Sequence, residues 1–305
     1  MPLDTKALED GALDTRGFLS MAELVTDERQ RILYHSLNQW ERGFIFFYFG
    51  SADSIQHVFW KDFLKDRLAD QGASSLPEPI VSVYQRMDTV LAGVLKRLEA
   101  EPSTQLVVLS DHGFDDFRQA VHLNRILVEL GYMKLKNGSD GNDSLFKNVD
   151  WSQTKAYACG FSGVYLNVQG RESQGAVAPE QVSSVLNSLQ RDLLAYKEPV
   201  TGESPFLEVV PAGSIYQGEC IANAPDLIVG CRPGYRFSWQ TALGTVPLVP
   251  FEENKKQWRG DHIFAASAVP GVLLSRKPLP ETLNNIQAVG KYVLSYFLSS
   301  TSADR

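Results

Sequence analysis

Two runs that are apolar at every position set the strongest limits on how this chain folds: Phe44-Ile45-Phe46-Phe47-Tyr48-Phe49 and Leu106-Val107-Val108-Leu109. A strand that is apolar on both faces belongs inside a sheet covered by helices on both sides. Between the two runs, Val83, Met87, Val90, Leu91, Val94 and Leu98 recur at helical spacing, so Val83 to Leu98 reads as an amphipathic helix. Strand, helix, strand is the order of a βαβ crossover. It predicts an α/β fold with a mostly parallel sheet and helices on both faces.

The remaining text supports one domain over residues 1–305. Helical spacing runs from Phe18 to about Trp40, with Gly43 closing it, and shorter helices are expected at Leu123 to Leu130 and near 284–299. Residues 69–79 and 137–144 are rich in Gly, Ser, Pro, Asn and Asp and read as a surface loop and a turn. From about 151 to 258 the texture changes to short strands, at Tyr157–Cys159, Val164–Val168 and Leu227–Val229, around a helix near 179–195. This reads as an α+β substructure inserted into the domain. Val269 to Ser275 returns as an apolar strand.

Composition narrows the function classes. A hydrophobic fraction of 44% over 305 residues supplies an ample core. A net charge of -7 argues against a nucleic-acid-binding surface but leaves a phosphate substrate open, because a metal ion supplies positive charge locally. The apolar runs are too short to cross a bilayer, and the first thirty residues carry acids throughout. No signal peptide or membrane segment is expected, which makes a cytoplasmic location the default. Cys159, Cys220 and Cys231 lack metal-ligand spacing and read as ordinary thiols.

Chemistry concentrates in three places. In Asp53-Ser54-Ile55-Gln56-His57, directly after the first apolar run, a helical turn would put the carboxylate and the imidazole on one face, within reach of one cation. Asp111-His112-Gly113 closes the second run, where open α/β sheets place their ligands. Gly260-Asp261-His262 adds a third carboxylate–imidazole pair. Each alone is more often a polar turn, a helix face or a structural histidine than a site; three together are far more specific. His35 reads as solvated or structural, His122 as a residue that could back the Asp111 motif, and Arg171, Tyr235 and Trp239 as structural, although an arginine such as Arg171 near a phosphate could bind it.

The segments FFYFGSADSIQHVFW (46–60), VVLSDHGF (107–114) and WRGDHIFAASAVPGVLLS (258–275) resemble the type I phosphodiesterase/nucleotide pyrophosphatase family of the alkaline phosphatase superfamily. Further resemblance runs through 150–160, 164–172, 224–230 and 234–239. It implies an alkaline-phosphatase-like fold and two divalent cations, zinc first, with manganese or iron as alternatives. Asp53, His57 and His262 match the ligands of one cation, and Asp111 and His112 two ligands of the other. Asp261 is a candidate to orient the His262 imidazole. The implied activity is hydrolysis of small-molecule phosphate esters by a two-metal phosphodiesterase or phosphohydrolase.

The chain departs from the family pattern at its start. Family members have an upstream strand ending in a metal-binding Asp, then a Thr or Ser nucleophile at a helix start; nothing before Phe44 reads as an apolar strand. Asp4-Thr5 and Asp14-Thr15 are tempting pairs in polar sequence. The expectation is therefore a partial domain, weakly active as it stands and prone to self-association through an uncovered strand edge. The rival reading is a noncatalytic metal-binding remnant or assembly partner.

Overall fold

The computed structural model describes residues 3–68, 79–137, 139 and 142–298. In chain order the helices are α1 (Thr5–Glu9), α2 (Thr15–Gln39), α3 (Ser51–Leu68), α4 (Pro79–Arg97), α5 (Leu123–Glu129), α6 (Val182–Ala195), α7 (Trp239–Ala242) and α8 (Ile286–Leu298). The strands are β1 (Val107–Leu109), β2 (Asp115–Val121), β3 (Ala156–Cys159), β4 (Gly163–Leu166), β5 (Phe206–Pro211), β6 (Leu227–Cys231), β7 (Gly234–Phe237), β8 (Phe251–Glu253), β9 (Gly260–Asp261) and β10 (Leu273–Ser275). The chain divides into two compact units, one of residues 1–88 with 114–269 and one of 89–113 with 270–305.

In the first unit, two acidic caps start the helical layer. Asp4 accepts the N–H of Ala7 at 2.8 Å and Asp14 that of Gly17 at 2.7 Å, each satisfying a free donor of a first turn. The two Asp-Thr pairs thus begin α1 and α2. Phe18, Ala22, Thr26, Leu33 and Leu37 line the buried side of α2 at three- to four-residue multiples. Phe18 and Ala22 pack with Leu8, Ile55, Val58, Phe59, Ile80 and Val83.

Two sheets fill the rest of this unit. β2 is central to the first, parallel to β7 and antiparallel to β8 and β9. The second has the order β3-β4-β6-β5 and is antiparallel throughout. Helices α5 and α6 bring Leu123, Ile126, Leu127, Leu189 and Leu193, all fully buried, into a core shared with Phe206, Leu227 and Phe237. In the second unit β1 pairs antiparallel with β10, Val107 opposite Ser275 and Leu109 opposite Leu273.

The mixed α/β character holds, but the mostly parallel sheet does not: among the described residues only β2 and β7 form a parallel pair of named strands. Tight connections are the physical reason. β3 and β4 are joined through Gly160, at φ +75°, and so short a link can connect only antiparallel neighbours. The run Phe44–Phe49 is not a strand either. Apolar character demands burial; a strand also needs a neighbouring backbone to share its hydrogen bonds. Phe44, Phe46 and Tyr48 instead stand 58, 71 and 55% exposed. The βαβ crossover is therefore not formed.

Candidate metal centre

Asp53 and His57 sit four residues apart at the start of α3, so both rise from one helix face. His262 follows β9, which packs beside α3. His57 Nε2 lies 3.5 Å from Asp53 Oδ1, and His262 Nε2 lies 3.6 Å from the same oxygen. The three ligand atoms all fall within 4.8 Å of one another.

Geometry fixes the tautomer of His57. Its Nδ1 is 2.7 Å from the carbonyl oxygen of Gly260, an atom that only accepts. Nδ1 therefore donates, and in the neutral ring the lone pair of Nε2 faces Asp53. An imidazole anchored this way through its far nitrogen has the arrangement typical of metal-ligating histidines. The ring is also clamped: Trp258 stacks on it at 3.8 Å and 24°, and Phe114 meets it edge-on at 4.8 Å. Phe114 also lies edge-on to His262, at 5.4 Å.

A tetrahedral cation with bonds of about 2.0–2.1 Å sets its ligand atoms about 3.3 Å apart. The two distances through Asp53 Oδ1 come close to that spacing. One carboxylate oxygen and two imidazole nitrogens, one of them on a ring anchored through its far nitrogen, fit a divalent cation.

The turn that presents His262 is held from behind. Asp261 is fully buried, and its Oδ1 accepts the backbone N–H groups of His262 at 2.8 Å and Ile263 at 3.0 Å. Its Oδ2 accepts from Trp258 Nε1 at 3.1 Å and pairs with Arg236 Nε at 3.0 Å. Asp261 thus acts on the main chain of His262. Burial pushes the Arg236 pKa down, and Asp261 beside it opposes that shift. The neighbouring ladder is latched by Arg259, which forks onto Asp116 at 2.6 and 3.1 Å, while its backbone N–H donates to the His57 carbonyl at 2.9 Å.

Asp111 and His112 lie in the second unit, after β1. His112 Nδ1 is 3.0 Å from the Gly113 carbonyl oxygen, so here too Nδ1 donates, and Nε2 is 3.5 Å from Asp111 Oδ1. His35 is exposed on α2. His122 is 1% exposed, with Nε2 3.5 Å from Glu252. Arg171 is committed to Asp226, at 3.0 and 2.7 Å, and to Glu172. Tyr235 donates to Glu198 at 2.6 Å. The three cysteines are free thiols, Cys231 buried and the other two exposed.

Sequence reading missed the roles of Trp258, Gly260 and Arg236. The first two stand within four residues of His262, and their adjacency was the available signal. Arg236 lies far upstream, and nothing in the sequence connects it to Asp261.

The family model of type I phosphodiesterase/nucleotide pyrophosphatase matches residues 8–262. The chain belongs to this family, which supports a hydrolase of phosphodiester or pyrophosphate bonds. No curated protein matches the chain. Among the described residues, no helix is long and apolar enough to cross a membrane.

Proposed function

We propose that this chain is a metal-dependent hydrolase of small-molecule phosphate esters, with Asp53, His57 and His262 holding one divalent cation, zinc by preference. The observation that carries the reading is the convergence of these three residues, from two segments some two hundred positions apart, in a chain of this family. Two imidazole nitrogens and one carboxylate oxygen suit zinc and leave a position open. Asp111 and His112 offer two donors to a second cation, a part of the proposal that rests on the resemblance.

A cation at the triad supplies Lewis acidity toward a phosphoryl oxygen. The protein supplies the rest. Gly260 fixes which nitrogen of His57 faces the site, and Trp258 and Phe114 cover the sides of that ring. The three ligands include no nucleophile, so the attacking oxygen comes from outside the triad. Thr5 and Thr15 begin helices, but the adjacent Asp4 and Asp14 are occupied as caps.

The test is hydrolysis of bis(p-nitrophenyl) phosphate by chelator-stripped, zinc-reloaded protein. Weak turnover is expected, below about 1 per second, the lower end of ordinary enzymes. Chelator should abolish it, as should Asp53→Asn and His262→Ala. Turnover untouched by both substitutions would overturn the assignment.

A further inference from the structure

We propose that Arg236 is a positioning residue for the metal centre: it fixes the Asp261 carboxylate, which in turn sets the main chain that presents His262 to Asp53. The proposal rests on the reading of the triad as a metal site.

Arg236 is 1% exposed on β7. Its Nε meets Asp261 at 3.0 Å and one terminal nitrogen donates to the Phe237 carbonyl at 3.1 Å. Its guanidinium lies 4.1 Å from the Trp239 ring centroid, 4.8 Å from Phe161 and 5.2 Å from Phe117. A buried ion pair is weak grounds for stability, because apolar residues of similar volume often do as well or better. What the pair does supply is a fixed countercharge on one side of the carboxylate, 3.0 Å from Oδ2. The Asp261 carboxylate is held at both ends, Oδ2 by Arg236 and Trp258 and Oδ1 by the N–H groups of His262 and Ile263. It cannot rotate without breaking contacts on both sides.

The same carboxylate reaches both imidazoles of the triad. It holds His262 through the backbone, and it holds the Trp258 indole whose face stacks on His57. Removing Arg236 leaves Trp258 as the remaining partner of Asp261 Oδ2 and the buried carboxylate without its countercharge, so the carboxylate shifts and the His262 turn loosens.

The test compares Arg236→Met, Arg236→Lys and a control, Asn167→Ala. Asn167 is buried elsewhere in the same unit, and its side-chain NH2 lies 2.9 Å from each of the carbonyl oxygens of Trp151, Thr154 and Gln174, among which its two hydrogens are shared. Two readouts are taken on folded protein: hydrogen exchange at the His262 and Ile263 amides without metal, and zinc affinity with the visible spectrum of the cobalt-loaded form. In Arg236→Met the amides should exchange faster by roughly tenfold, the loss expected for a bond to a charged acceptor. Zinc affinity should fall about ten- to a hundredfold, the usual effect of removing an outer partner of a ligand, and the cobalt band should shift. Arg236→Lys keeps the charge and should fall between, and it serves if the methionine variant does not fold. Asn167→Ala should lower stability and move neither readout. Wild-type exchange or wild-type zinc affinity in a folded Arg236 variant would overturn the proposal. An exchange effect in a protein whose wild type binds neither zinc nor cobalt would instead overturn the metal reading, leaving the Arg236–Asp261 coupling supported.

Discussion

The Gly260 carbonyl accepts the Nδ1–H of His57 at 2.7 Å, so β9 chooses which nitrogen of an α3 histidine faces Asp53. The approach needs a glycine. A Cβ at position 260 would stand 2.5 Å from the Gln56 carbonyl oxygen and 2.9 Å from Trp60 Cβ, and main-chain oxygen cannot step aside cheaply. Gly260→Ala should therefore push β9 off α3 and withdraw the acceptor from His57. Overpacking of this kind costs about 1–3 kcal/mol. Urea unfolding should show that loss, and zinc affinity should drop with it; a variant that kept wild-type values for both would mean the strand adjusts freely.

Metal stoichiometry separates the two ligand groups. Three donors converge in the first unit, whereas Asp111 and His112 are only two. Zinc analysis after dialysis against trace metal should give nearer one equivalent than two. His262→Ala removes a proposed direct ligand, so its affinity loss should exceed the ten- to hundredfold, approximately, that losing an outer partner causes. Two tightly held equivalents would show that the Asp111 pair has further ligands.

Sequence carried the local parts of this site and lost the distant ones. The spacing of Asp53 and His57 is itself a statement about a helix face, and α3 realises it. His262 could be joined to them only through family resemblance, because no local pattern says which strand lies beside which helix. Arg236 escaped for the same reason: its meaning depends on β7 lying near the β9 turn, a tertiary fact. The fold was misread where apolar text was taken for pairing. Phe44–Phe49 and Leu106–Leu109 look alike as text, yet only the second forms a strand, β1, which pairs with β10.

His122 should make stability depend on mild acid. Burial lowers its pKa below the ordinary 6.5, with Glu252 pulling the other way. A histidine with a lowered folded pKa favours the folded state above its unfolded value, and that contribution disappears as pH falls through the folded one. The melting temperature should therefore decline as pH drops below about 6.5. His122→Phe removes the titrating group and should flatten that slope. An unchanged slope would place the acid sensitivity in other residues.

Phe46 leads to the last prediction. It is 71% exposed, between Phe44 and Tyr48 at 58 and 55%, so alternate positions of one short run present three aromatic rings to solvent. Single exposed apolar side chains are ordinary, but contiguous apolar patches favour association. Concentrated protein should therefore show concentration-dependent light scattering from contact between copies. Phe46→Asp places a charge in the middle of the patch and should reduce that scattering. Because the side chain is mostly in water, the change should shift unfolding stability by no more than about 0.5 kcal/mol. Zinc affinity should be unchanged, since Phe46 is no part of the triad. Wild-type protein that stays monomeric at high concentration, or a Phe46→Asp variant that associates as readily, would show that this run does not drive self-association.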